Sequence, residues 1–160
     1  TPSPTDSVEV QRVIQSALEI MRPIAHKKGI VLRSSVSGNG VSTEVGIASA
    51  DLIQILCNLI QNAVDASSPP SEVDVSITQD HQTVTISIAD QGMGIAPEVL
   101  PRMFDPFYTT KYGDQGIGLG LGLAISKNIV ESASGHLQCS TTQGVGTTFS
   151  IILPTSIIKR

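Results

Sequence analysis

Residues 73–94 read VDVSITQDHQTVTISIADQGMG, and the order of strands and turn in this segment fixes the class of fold. Apolar and polar residues alternate on both sides of residues 79–82, as in an antiparallel hairpin with one face on a core and the other in water. The second strand ends at Asp90, and Gly92 and Gly94 follow it. Because two glycines allow a tight turn beside a ligand, this carboxylate is a candidate binding group, with a plain turn as the alternative.

Helical and extended patterns flank the hairpin. Apolar residues recur at helical spacing over 10–21, a helix that Asp6 or Ser7 is expected to cap and Pro23 to interrupt. The other upstream elements are a strand over 30–35, a turn over 37–40, a strand over 41–48 that pairs back on the first, and the strongest helix over 50–67, ended by Ser67, Ser68, Pro69 and Pro70. The downstream elements are a short helical stretch ending at Met103, an irregular section over 104–120, a helix over 121–133 ended by Ser134 and Gly135, and strands over 136–141 and 147–153. Since strands and helices come in clusters, we expect one mixed sheet with helices on one face.

The composition excludes several classes of protein. The chain has 160 residues, 40% hydrophobic and 15% charged, which fits one folded domain over 7–160 behind a Pro- and Ser-rich linker over 1–6. A net charge of −4 gives no basic footprint for a phosphate backbone, so nucleic acid is not an expected partner. The longest apolar run, 116–125, is too short to span a bilayer, so the chain as given is expected to be soluble. Cys57 and Cys139 are expected to be free, buried thiols in a reducing compartment.

Two asparagines lie four residues apart on the strongest helix. This spacing places the amides of Asn58 and Asn62 on one face, with Asp65 one turn further on. Asparagine is a mediocre helix former, so the pair marks either a solvent face or a site. An amide oxygen is a hard, neutral ligand that suits a Mg²⁺ ion whose other positions are held by phosphates and water, and Asn62 is the candidate.

Asp90 can accept from an exocyclic amine such as adenine N6 and would repel guanine O6, which predicts selection of ATP over GTP.

Residues 116–125 read GIGLGLGLAI and alternate glycine with apolar residues before the pattern becomes helical. Backbone N–H groups that lead into a helix N-terminus attract anions, so we interpret this run as a phosphate cradle, with a glycine-rich packing strand as the alternative. The sequence contains no Gly-Lys dipeptide, no Gly-x-Gly-x-x-Gly, no His-Arg-Asp and no Asp-Phe-Gly. His26, His81 and His136 are scattered singly, which does not favour a zinc site or a Ser/His/Asp triad.

Five motifs in this order resemble the catalytic ATP-binding domain of two-component sensor histidine kinases. That domain belongs to the superfamily shared with gyrase, heat-shock chaperones and mismatch-repair ATPases, and the resemblance covers roughly residues 7–154. It implies an α/β two-layer sandwich of one mixed, largely antiparallel sheet with helices on one face, the Bergerat-type ATP-binding fold. The motifs are Asn58-x-x-x-Asn62, Asp90-x-Gly92-x-Gly94, Phe104-Asp-Pro-Phe107, Gly118-x-Gly120-Leu-Gly122-Leu and Gly144-x-Gly146-Thr147.

The resemblance implies a role for each matching residue. Asn62 would hold Mg²⁺, Asn58 and Lys111 would serve catalysis, and Asp90 would bind adenine. Phe104 and Phe107 would lie at the base of a lid, and Thr147 would support adenine through water. The implied nucleotide-binding set is Asn58, Asn62, Asp90, Gly92, Gly94, Ile95, Phe107, Thr109, Thr110, Lys111, Gly118, Leu119, Gly120, Leu121, Gly122, Leu123 and Thr147.

Two residues depart from the family's pattern. Leu119 stands where the family commonly has Thr, so a hydroxyl contact to phosphate is missing or moved. Asp65 replaces a basic residue often seen three positions after the second Asn. A negative charge near a triphosphate is unfavourable unless it is screened, so we expect Asp65 to point away.

The residue at position 58 favours kinase over ATPase chemistry. In the related ATPases the helix carries Glu there, and that Glu activates water. The Asn58 amide cannot take a proton at neutral pH, so hydrolysis is expected to be slow. Transfer to a neutral imidazole mainly requires in-line positioning and charge neutralisation by Mg²⁺ and Lys111.

The resemblance also implies partners outside the chain. His26, His81 and His136 lack the acidic neighbour of family acceptors, so the phosphoacceptor helical dimerisation domain is expected upstream of Thr1, and this chain is not expected to phosphorylate itself. A response regulator would act downstream, and the intact protein would be a membrane-bound homodimer with this part in the cytoplasm. Phe107 and Tyr108 would dock the helical hairpin or pack within the lid. The alternatives are a lid-dimerising ATPase of the gyrase or mismatch-repair type and a non-catalytic nucleotide-sensing module; serine-kinase anti-sigma relatives, which retain the Glu, rank lower.

Overall fold

A computed structural model describes residues 8–36, 44–80, 82–105 and 122–155. Within these ranges the hairpin, the helix over 50–67 and the last two strands lie within two residues of their predicted positions. None of the described helices is both long and apolar enough to cross a membrane. The elements are β1 (Val8–Glu9), α1 (Val10–Lys27), β2 (Ile30–Val36), β3 (Glu44–Val45), α2 (Ser49–Ala66), β4 (Ser71–Gln79), β5 (Thr83–Asp90), a 3-10 turn (Leu100–Arg102), α3 (Gly122–Ser132), β6 (His136–Thr142) and β7 (Gly146–Pro154).

The described strands β2, β4, β5, β7 and β6 form one sheet in that order. β2 runs parallel to β4, and the other neighbouring pairs are antiparallel. The predicted mixed, largely antiparallel sheet is therefore confirmed. The register places Asp90 of β5 opposite Thr147 of β7, and Thr147 opposite Thr141 of β6. Asp90 thus meets two threonines from a distant part of the sequence at one end of the sheet.

One face of this sheet carries the core. Alternate residues of β4, β5 and β7 are buried, as their alternating pattern predicts, and they pack with the apolar faces of α1 and α2. On the other face, partly exposed polar residues pair across strands, as Ser87 Oγ and Ser150 Oγ do at 3.1 Å. The helices therefore cover a single face, as predicted. The largest fully buried side chains are Leu18, Leu52, Ile55, Leu56, Leu59, Ile60, Ile86, Ile88, Ile151 and Leu153, with Val10 and Val45.

The first helix differs from its prediction at both ends. The N-cap position belongs to Glu9, which follows the extended residue Val8, so the helix begins later than a cap at Asp6 or Ser7 would start it; these two residues lie outside the described ranges. Pro23 does not end it, and the helix continues to Lys27. Met21 and Ala25 are buried on either side of the exposed Pro23 and hold the last turns against the core. The backbone bond lost at proline lies on the outer face, where water can satisfy the carbonyl.

The segment predicted over 41–48 also differs, because its described residues, from 44 onward, do not pair back on the strand over 30–35. Within the described residues, Glu44–Val45 pairs antiparallel with Val8–Glu9. β2 instead pairs along its whole length with residues 71–77 of β4, in the parallel sense. Val45 is fully buried, so its burial and its bridge to Thr155 hold β3 beside the N-terminus of α1. The turn predicted over 37–40 lies outside the described residues.

Candidate functional site

Asp90 ends β5 and is almost completely buried, at 8% exposed. Its Oδ1 accepts from the Gly92 N–H at 2.8 Å and from the Thr147 N–H at 3.3 Å. Among the residues that the structure describes, no donor reaches its Oδ2 within hydrogen-bonding distance. The carboxylate is therefore fixed by one oxygen and presents the other as an acceptor.

The surroundings of Asp90 are poorly hydrated. Burial raises the pKa of Asp90 above its ordinary value of 3.8, and the N–H groups of Gly92 and Thr147 offset part of that rise. Burial and the nearby charge of Asp90 together raise the pKa of Cys139 to about 11. Cys139 is a free thiol, as predicted, and is half-buried. A desolvated carboxylate gains from any donor that replaces its lost water, so this site favours an N–H-bearing ligand.

The glycines of the two loops pack the site together. Gly92 lies against the Ala66 carbonyl at the end of α2, where a Cβ would lie 2.9 Å from Asp90 Oδ1. Gly94 has a φ of +75° and packs on Gln143, whose Cα would lie 2.7 Å from an added Cβ. Gly146 abuts the Asp90 carbonyl oxygen. Asp90-x-Gly92-x-Gly94 and Gly144-x-Gly146-Thr147 thus form one continuous backbone surface.

A hydroxyl that the sequence did not single out lies behind this surface. Thr141 Oγ1 accepts from the Ile95 N–H at 2.9 Å, contacts Thr147 Oγ1 at 2.9 Å and donates to the Gly146 carbonyl at 3.1 Å. The only sequence signal for Thr141 is its period-two spacing from Leu137 and Cys139, which places all three on the core face. Its contacts join the loop after β5 to the loop before β7.

The second half of the candidate site lies between α2 and α3. Asn58 Nδ2 donates to Ser126 Oγ at 3.4 Å, and Ser126 is 3% exposed. Gly122, the first residue of α3, packs so closely on the Asn58 amide that an added Cβ would lie 2.9 Å from its Cγ. The structure therefore brings the asparagine motif and the last glycine of the 116–122 run together.

Asn62 lies one turn after Asn58 along α2 and one turn before Ala66. Asn58 touches the start of α3 and Ala66 touches the loop after Asp90, and the three residues are spaced four apart along one stripe of the helix. Asn62 is half-buried. The Asp65 carboxylate reaches Lys28 at 3.5 Å and Gln61 at 2.9 Å, so a lysine at the end of α1 balances its charge.

Several predicted site residues lie outside the described ranges. They are Phe107, Thr109, Thr110, Lys111, Gly118, Leu119, Gly120 and Leu121, together with Tyr108. Their places in the site stay predictions. Of the described members, Phe104 packs on the core with Lys127 Nζ 5.4 Å from its ring centroid, and Ile95 and Leu123 also pack on the core.

The sequence profile that matches residues 47–157 is described as histidine kinase-, DNA gyrase B- and HSP90-like ATPase. This match covers more than half of the chain. The chain belongs to this ATPase family. Its resemblance to the superfamily, inferred from five motifs, is confirmed, and ATP is the nucleotide that an ATPase of this family takes.

Curated relatives in this family are sensor histidine kinases. Sensor histidine kinase ZraS of Escherichia coli K12 is 33% identical over 154 residues, which are 96% of this chain and 32% of the relative. Sporulation kinase A of Bacillus subtilis 168 is 31% identical over 147 residues, 92% of this chain and 23% of the relative. The chain thus spans a third or less of these relatives.

Solved structures of histidine kinases share the fold. The mycobacterial sensor histidine kinase MprB gives a TM-score of 0.80 at 29% identity, over 95% of this chain and 98% of that one. Full-length ShkA in complex with AMPPNP gives a TM-score of 0.83 at 26% identity, over all of this chain and 33% of that one. The predicted fold class is therefore confirmed.

The donor set of this ATPase-family chain fits a hard divalent ion only when nucleotide supplies further ligands. Among the described residues there is no group of three His, Cys, Asp or Glu side chains that could hold a metal. Asn62 offers one amide oxygen on the stripe between the Asp90 loop and α3. Mg²⁺ is commonly held by one or two protein oxygens with phosphates and water, and this limited set suits that mode.

Proposed function

We propose that this chain is the catalytic ATP-binding domain of a sensor histidine kinase, which transfers the γ-phosphoryl group of ATP to a histidine on a helical domain outside this chain. The observation that carries the proposal is Asn58, which is an amide at the position where α2 meets the first turn of α3. An amide there cannot serve as a general base for water. The same position can still help to align the phosphates.

The candidate site residues that the structure describes each have a part in this proposal, and Lys111 has one from its motif. Asp90 accepts from the exocyclic amine of adenine through Oδ2, while its Oδ1 stays bound to the Gly92 and Thr147 N–H groups. Asn62 would hold Mg²⁺, which would neutralise phosphate charge when bound. The N-terminus of α3 at Gly122 directs unpaired N–H groups and the positive end of the helix dipole toward the phosphates. Lys111, from its motif position, would neutralise charge on the transferred group.

The helical domain supplies the nucleophile in this proposal. A neutral imidazole nitrogen attacks the γ-phosphorus, the bond to the bridging β,γ-oxygen breaks, and ADP leaves with that oxygen. The reaction needs in-line alignment more than proton removal. We propose that the helical domain also makes the intact protein a homodimer and passes the phosphoryl group to a response regulator, and that the intact protein is bound to a membrane. In this proposal the catalytic domain lies on the cytoplasmic side, where ATP is available.

Calorimetric titration with ATP and GTP, each with Mg²⁺, tests the nucleotide site. We expect ATP to bind and GTP to bind at least tenfold more weakly, because a carboxylate acceptor repels a carbonyl oxygen. Asp90→Ala should abolish the preference and most of the affinity. Equal binding of both nucleotides, or no binding of either, would overturn the proposal.

Radiolabelled ATP tests the chemistry. The chain alone should gain no acid-labile phosphate, and a supplied phosphoacceptor helical domain should become labelled on histidine. Labelling of this chain itself would contradict the missing-acceptor prediction. A brisk ATPase rate that is lost in Asn58→Ala would instead support a lid-dimerising ATPase, and normal ATP binding without transfer to any acceptor would support a nucleotide-sensing module.

A further inference from the structure

Thr141 lies on the strand next to the candidate base-binding pair, Asp90 and Thr147. Asp90 and Thr147 are directly opposite in the β5–β7 register, and Thr147 and Thr141 are directly opposite in the β7–β6 register. Asp90 and Thr147 are 8% and 5% exposed, so the few hydrogen bonds that they make are not exchanged freely with water. The direction of each of these bonds therefore matters to a ligand.

The geometry leaves either threonine as the donor in the bond between them, and counting protons favours one direction. A hydroxyl has one proton to donate and two lone pairs that accept. Thr141 Oγ1 accepts from the Ile95 N–H at 2.9 Å and donates its own proton to the Gly146 carbonyl at 3.1 Å. Its remaining lone pair faces Thr147 Oγ1 at 2.9 Å, so the proton between the two hydroxyls comes from Thr147. This arrangement satisfies all three contacts, whereas the reverse direction leaves the Gly146 carbonyl without the Thr141 donor.

This bond direction determines what the Thr147 hydroxyl can offer to a ligand. With its proton given to Thr141, the Thr147 oxygen can only accept from a ligand or from a bridging water. The free Oδ2 of Asp90 is also an acceptor while the carboxylate is ionised. Two acceptors side by side match a group that carries two N–H bonds and oppose a carbonyl oxygen.

We propose that Thr141, which does not touch the nucleotide, determines specificity for the 6-amino group of adenine by fixing the Thr147 hydroxyl as an acceptor. This inference rests on the proposed function, because it assumes that the purine lies against Asp90 and Thr147. Removing the Thr141 hydroxyl frees the Thr147 proton. Thr147 can then donate to a 6-oxo group directly or through water, so the penalty against hypoxanthine falls.

The test compares ADP with IDP on the 160-residue chain by calorimetry; IDP has a 6-oxo group in place of the 6-amino group and an N–H in place of the unprotonated N1 of adenine. We expect Thr141→Val, which is isosteric, to lower the ratio of ADP to IDP affinity about tenfold, the value of one hydrogen bond. Thr141→Ser keeps the hydroxyl and should keep the wild-type ratio. In a Thr147→Val background, which has no hydroxyl to reorient, Thr141→Val should leave the ratio unchanged.

These outcomes separate the inference from a structural effect and from failure of the site. A purely structural role, through the lost bond to the Ile95 N–H, would weaken both nucleotides equally and leave the ratio intact, which would overturn the inference. If the wild-type chain binds neither nucleotide, the proposed function itself fails and the inference falls with it. Should Thr141→Val not fold, NMR of the wild type decides, because a slowly exchanging Thr147 hydroxyl proton directed at Thr141 is expected and the opposite direction contradicts it.

Discussion

At the scale of single residues, Asp90 is placed for binding at a cost to the fold. Burial raises its pKa above 3.8, so the folded chain holds the proton more tightly than the unfolded chain does. Its contribution to stability is therefore complete below pH 3.8 and is lost as pH rises through the folded pKa. Asp90→Asn removes this titration and keeps an oxygen for the Gly92 and Thr147 N–H groups. We expect the variant to have a higher Tm than wild type at neutral pH and at least tenfold weaker ATP binding.

Thermal unfolding of both chains across pH checks this prediction. The excess stability of Asp90→Asn should grow between pH 3.8 and the folded pKa of Asp90 and stay constant above it. Asp74→Asn is a control, because Asp74 lies on the same sheet and bonds to Ser35 at 3.4 Å at an exposed position. A variant that is less stable than wild type at pH 7 would show that the ionised carboxylate stabilises the fold.

The thiol of Cys139 reports the charge on Asp90. Burial and that charge hold the pKa of Cys139 at about 11, against an ordinary 9.0, whereas burial alone raises the pKa of Cys57. In a Cys57→Ala chain, Asp90→Asn should therefore lower the pKa of Cys139, though not to 9.0, because burial persists. The pH dependence of alkylation rates measures it. In the matched Cys139→Ala chain, Asp90→Asn should leave the pKa of Cys57 unchanged, and a shift there would point to a general structural change.

At the scale of elements, Ser134 and Gly135 at the end of α3 have different structural roles. Ser134 has a φ of +62° and its N–H donates to the Glu131 carbonyl at 3.0 Å, while the Gly135 N–H donates to Val130 at 2.9 Å. The sequence predicts a stop at this pair, yet the left-handed residue is the serine. Gly135 is required for another reason, because a Cβ there would collide with the Ile152 carbonyl oxygen.

Substitutions at these two positions should act in opposite directions. Ser134→Gly removes the strain of a left-handed non-glycine residue and is expected to raise the free energy of unfolding by up to about 1 kcal/mol. Gly135→Ala forces α3 and β7 apart and should lower it by about 1–3 kcal/mol. Urea unfolding measures both. A loss of stability in Ser134→Gly would mean that the serine makes a contribution beyond its backbone conformation.

The same elements show which features a sequence can reveal. The hairpin and α2 follow from local patterns, because one buried face imposes period two on a strand and about 3.6 on a helix. Pro23 shows the limit of such rules, since buried neighbours on one face keep the helix intact through an exposed proline. The partner of β3 was also missed, because pairing of two-residue strands depends on the packing of Val45 and not on their pattern.

At the scale of the whole molecule, sheet register assembles the candidate site. Asp90, Thr147 and Thr141 meet only because β7 lies between β5 and β6 in the sheet. This spatial order differs from the order of the strands along the chain. Local patterns carry no information on that order. Asp90 was found from its place at a strand end before two glycines and Thr147 from the motif resemblance, whereas Thr141 was not found. Asn58 and Gly122 are likewise joined by the packing of α2 on α3.

In the proposed site a nucleotide would span these separately built parts, so binding should stabilise the chain as a unit. ADP with Mg²⁺ at a hundred times its Kd should add about 2.7 kcal/mol. For a domain of this size that corresponds to a Tm increase of roughly 5–10 °C. In Asn62→Ala, whose alanine suits a helix, the Tm increase on ADP binding should be smaller than in wild type and should be the same with Mg²⁺ as with EDTA. In Asp90→Ala there should be almost no Tm increase. Scanning fluorimetry measures all three chains, and Gln54→Ala, at an exposed position of the same helix, is the control. If Mg²⁺ still enlarged the shift in Asn62→Ala, the ion would be held by other residues, and Asn62 would not be its ligand.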